Sequence, residues 1–306
     1  MSRALCRGLL GIALVVYAAL PSFAQDDIGG ATCLGCHSTL SESYAHTAHA
    51  KALTPTNARN PTMERGCESC HGPGSTHAQS GGKDQTGPGW LTFREDGRDA
   101  EERKSKACLQ CHEGNTQRYW RGSVHESRGF SCTTCHTLMK PVSFQHLLSE
   151  PTEAATCAQC HHLAAAQSMR ASHMPTRTGT GGVGGEDFRT CASCHNPHGT
   201  VADKLVDAHT INDKCTSCHA EKRGPFLWEH APVSESCLSC HVAHGSLKPN
   251  LLRLSAPRLC QTCHVGVLHA SEARLPKSRF VVGQSCMQCH PEVHGSNHPS
   301  GAFFTR

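Results

Sequence analysis

The chain has 306 residues, of which 37% are hydrophobic and 5% aromatic, with 28 glycines and 16 prolines. That is poor material for an ordinary packed core, and a formal charge of +4 is too small to argue for a nucleic-acid partner. Disorder is the bland alternative, but 21 cysteines and 24 histidines do not fit it.

Residues 1–24 read as a secretory signal peptide. Arg3 and Arg7 supply the positive start, Leu9 to Leu20 the apolar run, and Ser22-Phe23-Ala24 the small residues of a cleavage site. The run is short and wrongly flanked for a membrane span, with an uncleaved anchor as the alternative. Cys6 precedes it and is badly placed for lipid attachment. Export to the periplasm is the expectation, and no later segment approaches membrane-spanning length.

After the leader, C-x-x-C-H occurs ten times. The copies are Cys33/Cys36/His37, Cys67/Cys70/His71, Cys108/Cys111/His112, Cys132/Cys135/His136 and Cys157/Cys160/His161 in the first half. Cys191/Cys194/His195, Cys215/Cys218/His219, Cys237/Cys240/His241, Cys260/Cys263/His264 and Cys286/Cys289/His290 follow. They use every cysteine but Cys6. In a helical turn, residues at i, i+3 and i+4 share a face, so two sulfurs and an imidazole converge. That geometry suits two thioethers to the haem vinyl groups and one axial bond to iron. Zinc ribbons would not require histidine after each second cysteine, and a disulfide scaffold leaves the histidines unexplained. Ten covalently attached haem c groups are therefore expected. The predicted fold class is a multihaem cytochrome c, mostly irregular, with short α-helices at the motifs, negligible β structure and an elongated haem wire.

Fourteen histidines remain for ten open iron faces: His46, His49, His77, His125, His146, His162, His173, His198, His209, His230, His244, His269, His294 and His298. Methionine is the rival ligand, but only Met63, Met139, Met169, Met174 and Met287 follow the leader. Widespread His/Met ligation is thus impossible, and all-histidine ligation is possible throughout. His244 lies three residues after His241, too close along the chain to reach round the same ring, so it is expected to serve a neighbouring haem. His198, His294 and, more loosely, His77 repeat that arrangement. Bis-histidine coordination closes both faces of the iron and lacks the methionine that raises potential, so low-potential electron carriers are expected.

Five motifs fall before residue 165 and five after 190, separated by the glycine-rich Thr178–Asp187. This suggests an N-terminal pentahaem module over 25–177, a joint over 178–190 and a C-terminal pentahaem module over 191–306; one continuous haem-bound body is the alternative. Loss of the leader leaves a formal charge of about +2. Twenty propionates and ten singly charged ferric cores would bring it to about −8. Trp90, Trp120 and Trp228 are expected against haem edges.

Several stretches together resemble the MtrA/DmsE-type periplasmic decahaem cytochromes, which include the MtoA and PioA forms: "CESCHGPGSTHA", "RGSVHESRGFSCTTCHTLM", "SHMP", "CASCHNPHG", "CHAEKRGPFLWEHAPVSESCLSCHVAHGS", "LCQTCH" and "CMQCHPEVHGSNHPSG". The resemblance spans nearly all of the mature chain, without a large amino-terminal extension of the PioA kind. It implies an electron-transfer protein, not an enzyme, seated in an outer-membrane β-barrel partner. Such a conduit joins periplasmic electron carriers to an extracellular cytochrome or a mineral or metal donor or acceptor. It also implies distal ligation by His49, His77, His125, His173, His198, His230, His244, His269, His294 and His298, with His46, His146, His162 and His209 as spares. Two other readings are a multihaem reductase with one open iron and a periplasmic electron-storage cytochrome with no barrel.

Overall fold

The structure is a computed structural model describing residues 26–305, apart from 88, 144–145, 174–189 and 266–284. The leader, most of the joint over 178–190 and His269 therefore lie outside the described residues. Among those described, helices are short and no strand forms. The longest helix covers Arg98–Leu109, and β pairing is confined to five isolated bridges. No described helix is long and apolar enough to cross a membrane. Among the described residues, five hydrophobic side chains are buried: Leu91, Ala100, Leu109, Trp120 and Val206. So few cannot hold a chain of this length by side-chain burial alone.

One helical turn forms at every motif. In all ten, the histidine N–H donates to the carbonyl of the first cysteine, at 2.9–3.1 Å. The residues just before the motifs start these turns. Ser131 and Thr190 close capping boxes, while Thr152 and Thr210 accept from Ala155 N–H and Asp213 N–H. After the fourth, sixth and eighth motifs the chain returns through two successive left-handed residues, His146-Leu147, Lys204-Leu205 and Asn250-Leu251. Each such non-glycine residue costs roughly 1–2 kcal/mol. Paired backbone bonds offset the cost: Thr137 N–H to Leu147 O at 2.7 Å and Ser149 N–H to Cys135 O at 2.8 Å, and their counterparts Asn196–Leu205, Asp207–Cys194, Val242–Leu251 and Arg253–Cys240. The return loop is thus a repeated clasp closing over the motif.

Polar side chains tie the remaining segments together. Glu68, 1% exposed within the second motif, accepts from Ile28 N–H, Gly29 N–H and Gly74 N–H. It thereby fixes the first residues of the described chain against that motif. Contacts also cross the sequence position of the joint: Asn196 Nδ2 donates to Thr116 O at 2.8 Å, and Ala192 N–H to Glu153 Oε1 at 2.6 Å.

Two close backbone approaches set the spacing between successive units. Gly199 (φ +121°) and Gly245 (φ +144°) lie where a Cβ would overlap the Tyr119 and Gln167 carbonyl oxygens. Each directly follows a histidine, His198 or His244, so the glycine lets the segment carrying that histidine press against an earlier one. Gly199→Ala should destabilise the holoprotein by at least about 1–3 kcal/mol in denaturant titration followed by Soret absorbance. Gly114→Ala, where nothing lies within 4 Å of the added carbon, should change it by less than about 0.5 kcal/mol.

Candidate haem-binding sites

The motif turns place each histidine beside its two cysteines. What faces it comes from elsewhere in the chain. Eight motif histidines stand opposite a second histidine with ring centroids 5.9–6.3 Å apart: His37–His77, His112–His49, His136–His198, His161–His125, His195–His244, His219–His173, His241–His294 and His264–His230. Two metal–nitrogen bonds of about 2 Å and two ring radii of about 1 Å would put coaxial imidazoles about 6 Å apart across one ion. The residues present therefore fit an iron held between them.

The facing follows a rule. Four distal histidines lie between the motifs one and two places upstream of the one they face: His49 for the third, His125 for the fifth, His173 for the seventh and His230 for the ninth. Three more follow directly after the motif two places downstream: His198 faces the fourth, His244 the sixth and His294 the eighth. These two sets are bonded to one another. His125 Nδ1 reaches Pro197 O at 2.8 Å, His173 Nδ1 reaches Ala243 O at 3.4 Å, and His230 Nδ1 reaches Val293 O at 3.0 Å. In each case the acceptor immediately precedes the other distal histidine.

A carbonyl can only accept, so these contacts require a proton on Nδ1 and leave the Nε2 lone pair free for a metal. The clasps do the same on the motif side. His136 Nδ1 donates to His146 O at 2.7 Å, His195 to Lys204 O at 2.9 Å and His241 to Asn250 O at 2.8 Å. His71 donates to Leu91 O at 3.0 Å and His290 to Phe303 O. Burial pushes His198 down to about 4 and holds His49, His71, His136, His244 and His294 below the usual histidine range. Near pH 7 they are neutral, as ligation requires.

The sulfurs show how the motifs are ordered. First cysteines pair within hydrogen-bond reach at Cys33–Cys67, Cys108–Cys132, Cys157–Cys191, Cys215–Cys237 and Cys260–Cys286. Neighbouring sulfurs at Cys70–Cys111, Cys135–Cys160, Cys194–Cys215 and Cys240–Cys263 join those pairs to one another. Every motif is thereby next to the one that follows it in the sequence.

Cys36 and Cys289 stand outside that succession, and both are exposed. Cys36 and Cys289 are the second cysteines of the first and last motifs, so they lie at its two ends. In the seventh motif the Cys215 sulfur neighbours Cys194 and Cys237, and the Cys218 sulfur is 3.7 Å from Ser217 Oγ. The local reason is the turn itself. Every first cysteine is half-buried against the next segment, whereas eight of the ten second cysteines point outward, Cys70 and Cys240 being half-buried. An outward thiol remains within reach of a vinyl group, and a macrocycle bonded there would itself supply the apolar cover that the polypeptide does not.

The other histidines of the expected sets are placed differently. No motif ring stands opposite His298 among the described residues; its Nδ1 accepts from Ser300 N–H at 3.1 Å. Of the spares, His146 contributes its backbone to a clasp, His46 caps the helix Ser38–Ala45, and His162 opens the helix His162–Ser168. Trp90 stacks on His77 with centroids 4.7 Å apart, Trp120 is buried, and Trp228 exchanges two backbone bonds with Ser296.

Short motif helices, irregular connections and repeated thiol–imidazole turns define a multihaem c-type cytochrome that binds haem covalently through C-x-x-C-H. Residues 183–224 and 230–267 match the doubled CXXCH motif family. The chain is 36% identical over 287 residues to multiheme cytochrome MtrA of Shewanella baltica, covering 91% of this chain and 81% of that protein. It is 25% identical over 163 residues to the C-type polyheme cytochrome OmcB of Geobacter sulfurreducens, covering 46% of this chain and 20% of that protein. A high-molecular-weight cytochrome c of Nitratidesulfovibrio vulgaris is 29% identical over 83 residues, 26% of this chain and 14% of that one. The chain belongs to the MtrA family of multihaem cytochromes.

Replacing His244 by Ala should convert one haem from low to high spin, seen as a new high-spin EPR signal. His209→Ala should leave the spin-state distribution unchanged.

Proposed function

We propose that the chain is a decahaem electron conduit in the outer membrane, carrying electrons between the periplasm and the cell exterior inside a β-barrel partner. The observation that carries this reading is the unbroken succession of sulfur contacts from the first motif to the tenth. Haem, when bound, supplies a one-electron iron couple. The ten C-x-x-C-H motifs would attach ten such groups, and the facing histidines would close both sides of the irons they share. His269 and His298, the two remaining members of the expected distal set, flank the last motif in sequence.

Closure of the axial positions favours transport over catalysis, because a reductase needs an iron face free for substrate. It also favours low potentials, since imidazole on both sides lacks the effect of a thioether ligand. Physics and the resemblance to the MtrA/DmsE type support the barrel. A polar chain carrying twenty propionates cannot face lipid, whereas a lumen would shield it. The signal-peptide-like leader supports export to the periplasm, and periplasmic carriers together with an extracellular cytochrome, mineral or metal are the expected exchange partners.

The mature holoprotein should have the mass of its polypeptide plus ten haems. Tagged at its carboxyl terminus and recovered from detergent-solubilised outer membranes, it should bring down a large β-barrel protein in a fixed ratio. Liposomes holding the pair should pass electrons from an external reductant to an internal redox dye. Recovery only from the periplasmic fraction, with no barrel protein, would overturn the conduit in favour of electron storage.

A further inference from the structure

Among the described residues only two charged side chains are buried, Glu68 and Lys104. Lys104 is paired, its Nζ lying 2.6 Å from Glu101 Oε1. Glu68 is met by neutral backbone instead. Ile28 N–H lies 3.0 Å from both carboxylate oxygens, Gly29 N–H donates to Oε2 at 2.9 Å, and Gly74 N–H donates to Oε1 at 2.7 Å. Among the described residues Glu68 forms no ion pair, although Arg65 lines the same cavity. Both oxygens are acceptors, as in an ionised carboxylate. Burying an anion without a cation is costly, and hydrogen bonds offset only part of the cost. Anchoring the amino-terminal segment does not by itself require a charge, because any side-chain carbonyl accepts from a backbone N–H.

What lies beside this anion is the first pair of attachment sulfurs. Glu68 follows Cys67 directly in the sequence. Gly29, whose N–H it holds, has its carbonyl oxygen 3.6 Å from Cys33 Sγ. Cys33 and Cys67 are themselves within hydrogen-bond reach, and a carbon added at Gly30 would lie 3.6 Å from Cys67 Sγ. Burial, the Cys67 sulfur and the Glu68 charge together push the Cys33 thiol up to about 11. The carboxylate is thus one residue's backbone away from one sulfur and next in sequence to the other.

We propose that Glu68 is a fixed negative charge that tunes the haems of the first two motifs, holding them at lower potentials than their imidazole ligands alone would set. A ferric bis-histidine core carries one positive charge and a ferrous core none, so a buried anion nearby stabilises the oxidised form. The ferric cores would in turn supply the positive charge that the polypeptide does not. The backbone donors hold the anion in place while each iron gains or loses its one electron. The inference rests on the reading above only for covalent haem at these two motifs, and does not depend on a barrel partner or on the direction of flow.

The test uses purified, fully haem-loaded protein, with haem content checked by mass and spin state by EPR. In a potentiometric titration, Glu68→Gln should move one or two of the ten haems to higher potential without changing the spin-state distribution. The expected change in the ferric–ferrous equilibrium is roughly tenfold, about 59 mV for one electron. Glu68→Asp keeps the charge but shortens its reach. It should speed hydrogen exchange at the Ile28 and Gly29 amides, as Glu68→Gln does, and leave the potentials near those of the wild type. Gly30→Asp, which sets a second anion against the same sulfur pair, should move those haems to lower potential, whereas Gly30→Asn should not. Unmoved potentials in Glu68→Gln, or an equal shift in Glu68→Asp, would overturn the assignment. Gly30→Asp and Gly30→Asn variants that titrate alike would also overturn it, and that pair decides the matter if Glu68→Gln fails to load its haems. None of these results bears on whether the chain conducts through a barrel.

Discussion

The facing of two imidazoles brought from distant parts of the sequence is the constraint on which the rest of this architecture depends. A chain with five buried hydrophobic side chains among its described residues has little to gain from collapse alone. It is organised by histidines that face one another from distant positions. His136 and His198 are 62 positions apart, and two further motifs lie between them. Because such links run both upstream and downstream, each motif is laced to the segments on either side. That lacing lets short helices and long connections occupy fixed positions without a sheet or a bundle to support them.

The lacing imposes a second requirement, because an imidazole must point the correct nitrogen at the metal. Backbone carbonyls supply that control. At His136, His195 and His241 the acceptor is delivered by a return loop with two successive left-handed residues. At His125, His173 and His230 it is the carbonyl just before another distal histidine. A change in one distal segment therefore also disturbs the orientation of a ligand to a second iron. Glycine at 199 and 245 completes the unit by letting these segments approach earlier backbone closely.

Much of this was legible in the sequence. The ten motifs declared the cofactor chemistry, and the surplus of histidine over methionine limited what could lie opposite. Simple chain reach showed that His244 could not serve the haem of its own motif. Which iron it faces was not legible, because that depends on how three motifs stack. The same holds for the sulfurs: ten identical motifs gave no sign of which sulfurs would neighbour one another. The carbonyl acceptors were also hidden, since any residue can offer one. A faint signal existed in the recurrence of Leu147-Leu148, Leu205-Val206 and Leu251-Leu252 ten or eleven residues after the histidines of alternate motifs. It became meaningful only once the clasp was seen.

The central claim is that each of eight irons joins a specific pair of distant histidines, and that these joints set the order of the wire. A structure of the haem-loaded protein with the irons located by anomalous scattering tests it most directly. The iron at Cys132 and Cys135 should be bound by His136 and His198, that at Cys191 and Cys194 by His195 and His244, and the ten irons should follow one another in sequence order. An iron of the eight bound by a histidine other than the one facing it here, or a break in that order, would contradict the claim.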